Sequence, residues 1–256
     1  MEHITDLMSS QVFAAAMALM LLAGVVKGMV GFAMPLIIIS GLSTVMEPRL
    51  ALAGLLLPTL LSNLWQSLRQ GPRAAFASLK HFKVFIIVGG VALALSAQMV
   101  RIIPTETLFV LIGGPVLMFT VIQLLGWRPS IAPRHRMWIE GGAGLIAGAM
   151  GGFSGTWGPP TVLFLVALGT PKLDQIRVQG VLFGLGAIVL LFAHIGSGVL
   201  NTDTLPFALS TVPPAMIGMW IGMRLSDRID QEAFRRATLF VLLLAALNLL
   251  RRGMLG

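Results

Sequence analysis

The 256-residue chain contains no cysteine and no tyrosine, and only 11% of its residues are charged. The absence of cysteine excludes disulfides, thiolate metal sites and thiol nucleophiles. Soluble domains carry about a quarter charged residues, so the scarcity of charge places the chain among membrane proteins. The carboxylates lie in connections, at segment ends or near the amino terminus, and none lies deep in an apolar run. Paired carboxylates for acid–base catalysis are therefore missing, and we expect neither a metal site nor a cofactor.

Positive charge is in excess, with a net charge of +8. No basic stretch is interleaved with stacking aromatic residues, so nucleic-acid binding is not expected. Lys and Arg instead gather in the connections between apolar runs, as they do in cytoplasmic loops of membrane proteins. Placing these connections inside the cell puts 101–106, 196–206 and both termini outside. We therefore expect a multi-pass protein of the cytoplasmic membrane, surrounded by the lipid bilayer.

Apolar runs make up most of the chain. They lie at 11–30, 33–46, 50–68, 84–100 and 107–126 in the first half, and at 139–153, 157–169, 178–199, 207–223 and 237–250 in the second. A basic connection between the two sets predicts a first membrane repeat over 1–127, a cytoplasmic linker over 128–137 and a second membrane repeat over 138–256. Counting crossings gives both halves the same element order in opposite orientations. The expected fold class is an all-α polytopic membrane protein with two inverted-topology repeats of about five hydrophobic segments each.

Two glycine motifs interrupt the apolar runs in the same way, one in each half. They are GVVKGMVGFAMP, from Gly24 to Pro35, and GAMGGFSGTWGP, from Gly148 to Pro159, and both have the spacing G-x3-G-x2-G-x3-P. Glycine and proline are unfavourable in helix interiors, so both motifs predict helices that are broken or re-entrant. Because proline is favoured in the first turn of a helix, new helices are expected to begin near Met34 and Gly158.

Such breaks direct the amino termini of two helices toward a site at the interface of the repeats. Helix amino termini bind anions, and glycine lets an oxyanion approach the backbone closely. Two such ends with no carboxylate nearby favour a small anion over a cation. The candidate substrate-binding residues are Lys27, Gly28, Gly31, Phe32, Pro35, Asn63, Gln66, Gly152, Ser154, Gly155, Thr156, Trp157 and Pro159.

Several polar residues within or beside the apolar runs have two interpretations. Lys27, the only Lys or Arg inside a run, is either a countercharge for an anion or a residue that snorkels to the headgroups. Asn63 and Gln66 share one helix face and either line the path or bond to neighbouring helices. His194 either relays protons or makes an interhelical or interfacial contact. Gln179 and Arg177 begin the same helix and either form an inner gate or anchor a loop.

The chain resembles the TauE/SafE sulfite-exporter family, also called the toluene-sulfonate uptake permease family. The resemblance is carried by GVVKGMVGFAMPLIIISGL, RLALAGLLLPTLLSNLWQSLRQG and GLIAGAMGGFSGTWGPPTVLFLVALG, and it covers essentially the whole chain. It implies transport of small anions such as sulfite, sulfonates or organic acids across the cytoplasmic membrane. Lys27 stands where many relatives would carry a small or apolar residue.

These observations favour a secondary transporter of small anions, with export of sulfite, organosulfur or organic-acid anions as the first interpretation. Uptake of sulfonates or organic acids is the alternative within the same class. An intramembrane enzyme, for which Ser154 and His194 form a couple without a third member, and an accessory subunit are alternatives from other classes. The chain has no Walker motif, so ATP hydrolysis would need a separate subunit. The oligomeric state stays open, and a homodimer is among the assemblies that the sequence allows.

Overall fold

The computed structural model describes residues 8–42, 45–99, 105–126, 135–154 and 158–255. These ranges contain helices and no strand, which confirms the all-α prediction. The helices are α1 (Ser10–Val30), α2 (Met34–Leu42), α3 (Pro48–Leu68), α4 (Pro72–His81), α5 (Lys83–Met99), α6 (Thr105–Leu124), α7 (Arg136–Ser154), α8 (Gly158–Ala167), α9 (Lys172–Gly196), α10 (Leu205–Ser210), α11 (Val212–Arg228) and α12 (Gln231–Leu255).

Each predicted apolar run corresponds to one of these helices or to a pair of them. The bounds differ where a helix begins with charged residues or where a run is divided into two helices. The run 207–223 is divided into α10 and α11. The last run was predicted too short, because α12 begins at Gln231 with a charged first turn. Glu232 pairs there with Arg235 and Arg236, three and four residues ahead, and such pairs stabilise a helix. The short basic helix α4 was not predicted.

Five stretches within the described residues are long and apolar enough to cross a membrane. They are Ser10–Val30, Arg49–Leu68, Lys172–Gly196, Leu205–Arg228 and Gln231–Met254. Helices α4 and α5, which meet at a bend of 71°, make a sixth candidate together. The helices that follow the glycine motifs, α2 with 9 residues and α8 with 10, are too short to span alone, since a crossing needs about 20 residues. The polytopic prediction is confirmed, and the opposite orientation of the two halves stays a prediction.

The helices form two compact units, and each unit combines segments from both halves of the sequence. Unit 1 contains Met1–Ala75 and Ile176–Asp230, and unit 2 contains Phe76–Gln175 and Gln231–Gly256. The predicted division of the chain into two repeats and a linker stays a prediction. The first glycine motif therefore belongs to unit 1 and the second to unit 2.

In unit 1, helix α1 packs along α11 through small residues that allow two backbones to approach closely. A Cβ atom on Gly24 or Gly28 would overlap the backbone of α11. A Cβ atom on Gly218 or Gly222 would likewise overlap the backbone of α1. Two glycines of the first motif, Gly24 and Gly28, therefore serve helix packing, and neither of them terminates the helix.

Unit 2 uses the same kind of contact between α5 and α7. A Cβ atom on Gly144 or Gly148 would overlap the backbone of α5, and one on Gly89 would press on the carbonyl of Gly144. In both units, the helix that carries a glycine motif thus packs against a helix from the other half of the chain.

A proline inside α3 creates a further tie within unit 1. Pro58 has no N–H, so the carbonyl of Gly54, four residues earlier, lacks its helical donor. The buried hydroxyl of Thr211, at the junction of α10 and α11, lies 2.7 Å from that carbonyl oxygen. The same hydroxyl lies 2.7 Å from the carbonyl oxygen of Ala208, so one proton is shared between two acceptors. Thr211 thereby links α3 to the start of α11.

Candidate functional site

The first glycine motif breaks the chain between α1 and α2, as predicted. Helix α1 ends at Val30, and Gly31 follows in the left-handed conformation with φ 91°. The N–H of Gly31 donates to the carbonyl of Lys27 at 2.7 Å. Ala33 has a φ of 75°, a conformation that costs an L-residue about 1–2 kcal/mol. Helix α2 then begins at Met34, which confirms the predicted start.

Two buried glutamines hold the carbonyl end of α1 at this break. Gln66 of α3 donates from Nε2 to the carbonyls of Gly31, at 3.2 Å, and of Lys27, at 3.4 Å. Gln179 of α9, with its amide nitrogen turned toward α1, donates to the carbonyls of Gly31, at 2.9 Å, and of Val30, at 3.2 Å. The last carbonyls of a helix have no intrahelical donor, so these amides satisfy the carbonyls of Val30 and Gly31 and add a second donor to the carbonyl of Lys27, which also accepts from the N–H of Gly31.

Lys27 lies one turn before the break, and its side chain is buried, with 1% of the residue exposed. Its Nζ donates to Oδ1 of Asn63 at 2.5 Å. Among the described residues, no carboxylate forms an ion pair with this ammonium. Burial excludes the snorkelling interpretation for this conformation, since a snorkelling ammonium would be exposed. Keeping a charge inside a membrane segment costs about 2.5–3.5 kcal/mol on insertion scales, and the role of Lys27 as a countercharge for an anion stays a prediction.

We call Lys27, Asn63, Gln66 and Gln179 the polar cluster. Two of its buried atoms, Nδ2 of Asn63 and Oε1 of Gln66, have no hydrogen-bond partner among the described residues. A buried polar atom without a partner costs about 1–3 kcal/mol. The polar cluster therefore contains one ammonium without a countercharge, one unused donor and one unused acceptor.

Gln179 is the member of the polar cluster that was not among the predicted substrate-binding residues. Gln179 is buried and donates to the carbonyls of Val30 and Gly31, so it anchors the connection between α1 and α2, and its role in an inner gate stays a prediction. The neighbouring Gly180 explains its position, since a Cβ atom there would overlap α3 at Gln66 and Ser67. A polar residue beside a glycine at the start of an apolar run was the available signal.

The other predicted residues of unit 1 lie at different distances from the break. Phe32 is buried within it. Pro35 lies in the first turn of α2, as expected for proline. Gly28 lies inside α1 against α11, and its role in substrate binding stays a prediction. His194 lies in the last turn of α9, where its Nδ1 is buried without a partner among the described residues, and its role as a proton relay stays a prediction.

The second glycine motif lies in unit 2. Helix α7 ends at Ser154 and α8 begins at Gly158, so the predicted helix start is confirmed. Gly155, Thr156 and Trp157, which lie between these helices, are outside the described residues. The side-chain surroundings of Gly152 and Ser154 are also outside the described part of the chain. Pro159 is buried in the first turn of α8. The role of all these residues in substrate binding stays a prediction.

Comparison with known proteins identifies the family of the chain. The family model of the sulfite exporter TauE/SafE matches residues 16–249, a range that includes both glycine motifs and the whole polar cluster. Searches of curated proteins and of solved structures give no significant match. The chain therefore belongs to the sulfite exporter TauE/SafE family of membrane transporters.

Proposed function

We propose that the protein transports small anions, sulfite first among them, and that the polar cluster holds the anion during transport. The observation that carries this proposal is the buried ammonium of Lys27, which is bonded to a neutral amide and forms no ion pair with any described carboxylate. An anion about 4 Å from the ammonium would gain about 4 kcal/mol at an effective dielectric constant of about 20. A cation at the same place would be repelled by a similar amount.

The described conformation is one in which the polar cluster is closed. Lys27, Asn63, Gln66 and Gln179 are all buried, so an anion reaches them only when the surrounding helices move. The break between α1 and α2 suits such a movement, because Gly31 and Ala33 already have positive φ and the short α2 begins directly behind them. Discontinuous helices whose ends face the substrate are typical of transporters that work by alternating access.

We place the protein in the cytoplasmic membrane, with the basic connections inside and both termini outside. A membrane potential that is negative inside contributes about 2.3 kcal/mol per 100 mV toward outward movement of a monovalent anion. Export of sulfite or organosulfur anions therefore needs no further energy source, whereas uptake of sulfonates or organic acids needs a coupled ion. Unit 2 carries the remaining predicted ligands, and we propose that they also serve anion transport.

The test is transport by the purified full chain in liposomes. Labelled sulfite, methanesulfonate, acetate, chloride and sodium are each offered under an imposed potential of either sign, with protein-free liposomes as the control. We expect flux of sulfite whose direction follows the potential. Liposomes that pass sodium but no oxyanion would refute the proposal. Ser154→Ala protein that still transports would remove the intramembrane-enzyme alternative.

A further inference from the structure

We infer that the polar cluster selects oxyanions that carry one negative charge and one hydrogen-bond donor, such as hydrogensulfite, over fully deprotonated dianions such as the sulfite dianion. This inference rests on the proposed function, because it specifies the charge and protonation state of the anion that the same site takes.

The charge of the polar cluster matches one negative charge. Lys27 is its only charged member, and the other three are neutral amides. The charged residues nearest in sequence to the amides are Arg69, directly after α3, and Arg177, on α9, and both have partners of their own: Arg69 donates to both carboxylate oxygens of Asp227, at 2.6 and 2.8 Å. A monoanion beside Lys27 forms a neutral pair, whereas a dianion leaves one buried charge uncompensated, which is unfavourable in a low-dielectric interior.

The unused hydrogen-bonding atoms specify the anion further. Nδ2 of Asn63 is a donor, which an oxyanion oxygen satisfies. Oε1 of Gln66 is an acceptor, which only a ligand with an O–H or N–H group satisfies. A dianion with no proton leaves Oε1 unpaired and places a second negative charge near it, whereas a protonated monoanion satisfies both atoms.

The orientation of the Gln66 amide is fixed, so Oε1 cannot be exchanged for a donor by rotation. Nε2 of Gln66 donates to the carbonyls of Gly31 and Lys27 at the end of α1. Turning the amide over would direct its oxygen at these two carbonyl oxygens, which is repulsive, although each carbonyl would keep its other donor, the N–H of Gly31 for Lys27 and the amide of Gln179 for Gly31. The acceptor therefore stays available to the ligand.

The first measurement compares anions of equal charge and similar shape. Initial rates of hydroxymethanesulfonate and ethanesulfonate, which differ by an O–H in place of a methyl group, are measured in the same liposomes at a mildly acidic pH, with sulfate as the dianion. We expect hydroxymethanesulfonate to be faster by about tenfold or more, because a site built to bond a hydroxyl rejects the analogue without it. Sulfate is expected to be slowest.

The second measurement follows sulfite across the neutral pH range at constant total concentration. Ethanesulfonate does not change its ionisation there, so it reports any change in the protein itself. We expect the ratio of the sulfite rate to the ethanesulfonate rate to fall as the pH rises and hydrogensulfite loses its proton. A ratio that is constant or rises would overturn the inference.

Two glutamine variants distinguish the effect of losing the acceptor Oε1 of Gln66 from the effect of losing a donor to the Gly31 carbonyl. Gln66→Met removes Oε1 and is expected to abolish the preference for hydroxymethanesulfonate. Gln179→Met is the matched control, since it removes donors to the same Gly31 carbonyl but keeps Oε1 of Gln66, and it is expected to keep the preference. Because each preference is a ratio within one preparation, loss of folded protein cancels.

The outcomes distinguish the two proposals. Equal rates of the two sulfonates in the unaltered protein, or a preference that survives Gln66→Met, would overturn the inference and leave anion transport standing. Absence of flux for every anion would refute the proposed function, and the inference with it.

Discussion

Replacing Lys27 by Met removes the ammonium of the polar cluster while keeping a side chain of similar length and flexibility. Met has no group to bond Oδ1 of Asn63, so this acceptor becomes unpaired. The change therefore tests transport and stability separately. If Lys27 had only a structural role, its loss would lower transport only by lowering stability. In the proposed function, transport depends on the charge, whereas stability depends on the balance between removing a buried charge and leaving an amide oxygen unpaired.

The two magnitudes have opposite signs. Removing the buried charge is favourable by about 2.5–3.5 kcal/mol on insertion scales, and the unpaired Asn63 oxygen costs about 1–3 kcal/mol. The Lys27→Met protein is thus expected to lie between about 0.5 kcal/mol less stable and about 2.5 kcal/mol more stable than the unaltered one. The lost attraction for a monoanion is about 4 kcal/mol at 4 Å, and a tenfold change corresponds to about 1.4 kcal/mol. A loss of about 4 kcal/mol corresponds to a several-hundredfold change, so we expect transport of dilute sulfite to fall by at least about a hundredfold.

The assay is the initial rate of labelled sulfite uptake into liposomes, at concentrations well below saturation, together with thermal unfolding of the same protein in detergent. Lys80→Met is the matched control, since Lys80 is exposed on α4, where its ammonium lies 4.8 Å from the ring centre of Phe76. It is expected to transport at the unaltered rate. A folded Lys27→Met protein that transports sulfite as fast as this control would refute the assignment of Lys27 as the countercharge.

Further predictions concern the backbone contacts that shape unit 1, and each is checked by thermal unfolding in detergent. Gly28→Ala is expected to destabilise by about 1–3 kcal/mol, because its Cβ would overlap the backbone of α11, whereas Gly90→Ala in α5, with open space at its Cβ, is expected to be neutral or stabilising by up to about 1 kcal/mol. Equal stability of these two variants would contradict the close contact. Ala33→Gly relieves a positive φ and is expected to stabilise by up to about 1 kcal/mol; a clear loss would show that the left-handed conformation carries no strain. Thr211→Val is expected to cost about 1–3 kcal/mol by leaving the Gly54 carbonyl without a donor, and Thr211→Ser, which keeps the hydroxyl, is expected to retain most of the stability. A Val variant as stable as the Ser variant would exclude that bond as a contributor.

The features that local chemistry determines were predictable from the sequence. The starts of α2 at Met34 and α8 at Gly158 follow from proline, whose fixed φ suits the first turn of a helix whatever the rest of the chain does. The membrane class follows from composition in the same way. The glycines of the first motif were nevertheless all predicted to belong to a helix break. In the structure only Gly31 caps α1, whereas Gly24 and Gly28 pack against α11. Glycine spacing alone does not distinguish a helix end from a helix contact.

The features that depend on distant segments were not predictable. The burial of Lys27 depends on Asn63 of α3, and the position of Gln179 depends on the approach of α9 to α3 at Gly180. Neither contact has a periodic signature in one sequence, so both residues kept two interpretations. Helix α4 was missed for a different reason, since its basic composition is that of a loop and its helical start is specified only by Pro72.

The composition of unit 1 from two separated segments has a consequence for biosynthesis. Its first segment ends at Ala75 and its second begins at Ile176, so roughly a hundred residues are made in between. Because α1 ends at Val30 and α11 begins at Val212, about 180 residues separate the two helices, and at about 5–20 residues per second the glycine face of α1 is without its partner for on the order of 10–40 s. Lys27 does not wait as long, because Asn63 belongs to the same early segment. Factors that shield a lipid-exposed glycine face during translation would therefore raise the yield of this protein more than factors that shield charge.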